Sequence, residues 1–156
     1  MRRYTSPPLD LPVLDPGEGV DRADLVFYGV DHSGPSYEAR VFVDAPDADE
    51  TTPTDVEHGY VGSFTVFAHD GCYGDEGHCL PDQRETDAFD HRAPHPLRPW
   101  TRTVTAEAPL IEAVRARDVT QVSVTVVAIA AVDEASVTQE EGLLTFQSIR
   151  LLTYQD

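Results

Sequence analysis

The 156-residue chain has no lysine: all eleven basic side chains are arginine, set against 28 aspartates and glutamates. The net charge of −17 excludes nucleic acid as a partner, because a phosphate backbone would be repelled. An anionic membrane surface is disfavoured for the same reason. Absent lysine, beside abundant Asp, Ala, Val and Thr, points to a GC-rich genome and fits a salt-loving host. Long apolar runs are also missing, and no segment approaches the roughly 18 residues of a membrane-spanning helix. Arg2 and Arg3 are followed by proline-rich sequence rather than by an apolar signal-peptide core, so a cytoplasmic location is expected. Cysteine occurs twice and tryptophan once. The length is that of one domain able to bury a core without covalent staples.

The few soft donors lie together. His69, Cys72, His78 and Cys79 fall within eleven residues (HDGCYGDEGHC), and Tyr73 stands between Cys72 and Gly74. Two thiols and two imidazoles would satisfy tetrahedral zinc, although the adjacent His78 and Cys79 make that geometry less comfortable than a CxxC pair. Thiolate and imidazole also suit copper(I). A disulfide between Cys72 and Cys79 is sterically feasible, and free thiols are a further state. The sequence leaves these alternatives open. A nucleophilic Cys72 has no support, since nothing around it sets up an oxyanion hole or a group to orient a base.

Strand signals dominate elsewhere. Asp24–Val30 is a continuous apolar run, and Tyr37–Val43 alternates, with Tyr37, Ala39, Val41 and Val43 on one face. The Gly34-Pro35 turn between them predicts an antiparallel hairpin. An acidic, proline-containing stretch follows. Its Asp44, Asp47, Asp49 and Glu50 lack fixed calcium-ligand spacing and read as a solvated loop. Tyr60–Ala68 is a third strand, with Phe64, Val66 and Ala68 facing one way. Residues 69–99 form a long Cys-, His- and Pro-containing loop, a length that in a compact domain is usually functional or disordered. Trp100–Ala106 is a strand with threonines on one face and Trp100 as an anchor. Leu110, Ile111 and Val114 at helical spacing predict one helix over Pro109–Arg117. Val119–Val132 and Leu143–Tyr154 complete the strands, with Val122, Val124 and Val126 facing the core.

The expected fold is all-β: an antiparallel β-sandwich of jelly-roll or immunoglobulin-like type, spanning residues 23–156, with one short helix. Residues 1–22 form a proline-rich arm, packed as an extended segment or mobile.

The succession YEARVFVD, an acidic Thr/Pro loop, GYVGSFTVFAH, a threonine-rich strand, LIEAVRARDV, SVTVVAI and LLTFQSIRLL resembles the C-terminal β-domain of plant-type polyphenol oxidases. More distantly it is similar to the β-sandwich of molluscan hemocyanin units. The resemblance covers roughly Ala23 to Leu152. It implies a non-catalytic domain of a tyrosinase-family (type-3 copper) protein, seated over the dicopper site of a helical catalytic domain and placing a side chain in the substrate entrance. The chain departs from the family in lacking that catalytic domain, so the partner would be joined in cis or met in trans. The Cys72–Cys79 loop is also longer than the family's. Dicopper catalysis within this chain is not expected, because His32, His58, His69, His78, His91 and His95 are scattered over a β protein rather than projecting from a helical bundle. The resemblance makes Tyr73 the candidate placeholder, a phenol able to mimic a phenolic substrate. A small copper- or zinc-binding protein using His69, Cys72, His78 and Cys79, and a purely structural or assembly module, are the other readings.

Overall fold

Alternation along Tyr37–Val43 sends Tyr37, Ala39, Val41 and Val43 into one core, because successive strand side chains point to opposite faces. The computed structural model describes residues 3–12, 20–67, 89, 98–106, 110–112, 119–130 and 143–154. Their strands are β1 (Arg3–Thr5), β2 (Leu9–Asp10), β3 (Arg22–Val30), β4 (Tyr37–Val43), β5 (Tyr60–Val66), β6 (Trp100–Ala106), β7 (Gln121–Val122), β8 (Val124–Ala130) and β9 (Ser148–Tyr154). One sheet has the order β1-β8-β4-β5 and another β6-β3-β9, with β2 and β7 as a two-stranded ribbon. Every pairing is antiparallel. The result is an antiparallel β-sandwich. Phe27 of β3 meets Phe64 of β5 across the core, ring centroids 5.0 Å apart.

The expected hairpin does not form. The strand at 22–30 pairs with β6 and β9, whereas the strand at 37–43 pairs with β5 and β8, so residues 31–36 cross from one sheet to the other. Gly34-Pro35 marks a turn but does not dictate which strands it joins. The apolar run of β3 suits a central strand, buried on its core face through Ala23, Leu25 and Phe27 and buried also at Asp24 and Val26 on the other.

The other elements follow their patterns more closely. Val122, Val124 and Val126 are all buried in the main core. Thr101, Thr103 and Thr105 share the exposed face of β6. The final strand starts at Ser148, later than expected, although Leu143 and Leu144 ahead of it are buried. Within the expected arm, two short stretches join the sheets: β1 pairs with β8 and β2 with β7. Residues 110–112 are helical with Leu110 buried; the rest of the expected 109–117 helix lies outside the described residues.

The acidic stretch after β4 is more than a solvated loop. Phe42 and Val127 lie on the outer face of the four-stranded sheet, and Ala48 folds back on them to form a second small core. The carboxylates of that stretch build its turns. Asp49 accepts from the Thr51 amide and hydroxyl at 2.9 and 2.7 Å. Asp55 caps the 3-10 turn Val56–His58. These bonds hold both carboxyls below the usual carboxylate range.

Candidate functional site

Tyr37 pairs with both Val66 and Ala130, and Val30 pairs with Trp100. One end of the sandwich therefore collects the 31–36 crossing, the strand ends that flank the 68–97 segment, and the C-terminal end of β8. The Asp31 amide donates to the Thr145 carbonyl at 2.9 Å, which brings the approach to β9 to the same end.

That end is built around buried His32. Its Nε2 donates to the Arg98 carbonyl at 2.9 Å, and its ring stacks on Trp100 with centroids 3.9 Å apart and planes 11° from parallel. The Arg102 guanidinium lies 4.3 Å from the Trp100 ring centroid. His32 is positioned locally by the Asp31 carboxylate, which accepts from the Ser33 amide and hydroxyl and closes the start of the crossing into a tight turn. Together these contacts clamp the chain where it re-enters the sheet at Arg98 and Trp100. Where it leaves the other sheet, Phe67 is 77% exposed.

Beside the clamp lies the Tyr37 hydroxyl, buried and without a hydrogen-bond partner among the described residues. Burial pushes its pKa up to about 12, with the Asp31 charge adding to the effect and Arg102 opposing it. Trp100 is thus the anchor the sequence indicated. The part played by His32 was not anticipated, although the signals were there: one histidine opening a Gly-Pro turn, and the only tryptophan following a proline.

The sequence-derived site residues His69, Cys72, Tyr73, His78 and Cys79 lie outside the described residues, as do His91 and His95. Among the described residues no cluster of three or more His, Cys, Asp or Glu could hold a metal ion. The opposite end carries an open groove lined by Asp44, Ala45, Ala48, Val56 and His58 among others. Its polar groups are largely engaged. Asp44 accepts from the Ser123 amide at 2.8 Å and hydroxyl at 3.2 Å, and the His58 ring pairs with Asp55 at 2.6 Å.

No protein-family model and no curated protein sequence matches the chain. Solved structures do. A recombinantly expressed latent aurone synthase, a polyphenol oxidase, has a TM-score of 0.52 at 16% identity, over 99% of this chain and 25% of its own. The same type of enzyme from natural source gives 0.53 at 17% identity over the same shares. A form co-crystallised with hexatungstotellurate(VI) gives 0.55 at 16% identity, over 99% and 24%. The likeness is one of fold. The chain spans about a quarter of the length of these enzymes, and the likeness runs over nearly all of it.

Proposed function

We propose that this chain is a non-catalytic accessory β-domain that caps a tyrosinase-like dicopper catalytic domain, in cis or in trans, keeping it latent or helping it mature. The observation that carries this reading is the extent of the likeness: almost the entire chain matches one quarter of a latent polyphenol oxidase. A non-catalytic unit inside a larger enzyme is the simplest role for such a piece.

The anatomy of the His32 end supports the same reading. A plug must be held at its base, since a loop free to move loses ordering entropy on docking. The segment between Phe67 and Arg98 has such a base in the His32–Trp100–Arg102 stack. Tyr73, within that segment, is the phenol that takes the substrate's place. His69, Cys72, His78 and Cys79 carry donors suited to copper(I) or zinc, which is the chemistry a role in maturation would use.

The test is a variant series added to the cognate copper-loaded catalytic domain, with catechol oxidation as the readout. Tyr73→Ala should bind as the wild type does, because one loop tip supplies little of the contact area, but should inhibit less. Equal inhibition by wild type and Tyr73→Ala rules that residue out and transfers the role to Phe67, Leu80 or Phe89, of which Phe67 and Phe89 are exposed. If neither inhibits, while Cys72→Ser abolishes copper loading of the partner, the segment carries metal and does not cap.

A further inference from the structure

The two main sheets have four edge strands, and three of them are protected. β1 is only three residues long and is followed by Pro7 and Pro8. β5 and β6 close one side of the sandwich together, at the close approach of Gly62 to Val104. Short edges, prolines and covered edges are the usual defences of a sheet against pairing with another chain.

β9 is neither short nor broken by proline, and among the described residues no strand covers its free edge. It runs for seven residues, SIRLLTY, without glycine or proline, and among the described residues it pairs only with β3. Leu152 is 39% and Tyr154 45% exposed, both on the outer face of the three-stranded sheet. The strand's only charge, Arg150, lies over the Tyr28 ring of β3 at 5.6 Å, on the same face as Leu152 and Tyr154. Arg22 of β3, paired with buried Asp24, sits 5.2 Å from the Tyr154 ring. This strip is therefore close to neutral on a chain of net charge −17.

We propose that β9 pairs antiparallel with β9 of a second copy, about a two-fold axis at Leu152, to give a continuous six-stranded sheet β6-β3-β9-β9-β3-β6. The sequence of the strand selects this register. An axis at Arg150 would set two guanidinium groups directly opposite each other, which is unfavourable. An axis at Leu152 sets leucine against leucine and each Arg150 opposite the other copy's Tyr154, an apolar pair flanked by two cation–aromatic pairs. Residues on a strand alternate faces, so this register keeps both cores on the same side of the joined sheet. The remaining surface of each copy is strongly acidic, so association is opposed at low ionic strength and released by salt.

Sedimentation equilibrium of the full chain, from dilute buffer to molar sodium chloride, tests this. The average mass should climb from the 17.2 kDa monomer toward twice that value as salt and concentration rise. Leu152→Arg should remove the dimer at every salt concentration while leaving the far-ultraviolet spectrum unchanged. Should that variant fail to fold, Leu152→Cys should give a symmetric inter-copy cross-link at position 152 under mild oxidation, located by peptide mass mapping. A chain that stays monomeric up to millimolar concentration in high salt overturns the proposal. So does a dimer that survives Leu152→Arg, or one that gives no cross-link at position 152.

Discussion

Replacing Gly62 with alanine should be among the most damaging single-methyl changes in this protein. Gly62 has φ 140°, a backbone region populated almost only by glycine, and strain of that kind costs about 1–3 kcal/mol. The added Cβ would also lie 2.6 Å from Cγ1 of Val104, a buried β6 side chain that cannot swing into solvent. Forcing an extra methyl into a packed core costs about 1–3 kcal/mol more. Together they remove roughly 2–6 kcal/mol from a fold of this size, whose whole stability is of the order of 5–15 kcal/mol. Urea unfolding followed by circular dichroism measures the loss. A cycle with Val104→Ala separates the two terms. The double variant should recover the steric part, so its loss should fall short of the sum of the single losses by about 1–3 kcal/mol. A Gly62→Ala protein within about 0.5 kcal/mol of wild type would refute the close approach of β5 to β6, since that is the scatter of ordinary surface changes. Additive single losses would refute the contact with Val104.

Three further outcomes follow from the fold. Val124→Asp places an unpaired charge at a fully buried position of a central strand and should leave the chain unfolded or insoluble; a soluble variant melting like wild type would refute the register of β8. The folded state holds the Tyr37 proton up to about pH 12, above the ordinary tyrosine value near 10, so stability should be intact below pH 10 and fall by about 3 kcal/mol as pH rises through 12. Tyr37→Phe should abolish that high-pH loss, and an unchanged pH profile in the variant would contradict it. With a net charge of −17, melting temperature should rise from dilute buffer to molar salt even in the Leu152→Arg background, where dimer formation does not contribute; flat melts would mean that the carboxylates are locally neutralised.

What could be read from the sequence was mostly what side-chain periodicity carries. The alternation of β4 and the β-branched run of β8 assigned their core faces correctly, because burial of one face is what selects such residues. Periodicity carries no information on which strands lie side by side, and so the turn at 31–36 reads as a hairpin although it crosses between sheets. The fold-back of the acidic loop does have a sequence signal. Phe42 occupies a position that alternation assigns to the outer face, and an aromatic ring there requires a cover. The His32 anchor joins residues 66 positions apart and depends on a stack that no local pattern encodes. The Cys/His segment was conspicuous by composition, and the described residues establish only its two flanking anchor points.

The proposal that this sandwich caps a dicopper domain is tested most directly by titration. Increasing amounts of the purified chain are added to its cognate copper-loaded catalytic domain, and the rate of catechol oxidation is followed. Capping predicts that the rate falls to a low plateau, reached at one accessory domain per catalytic domain, and that it recovers when the accessory domain is removed by proteolysis. A rate unaffected by excess accessory domain, with no complex formed between the two, would contradict the account.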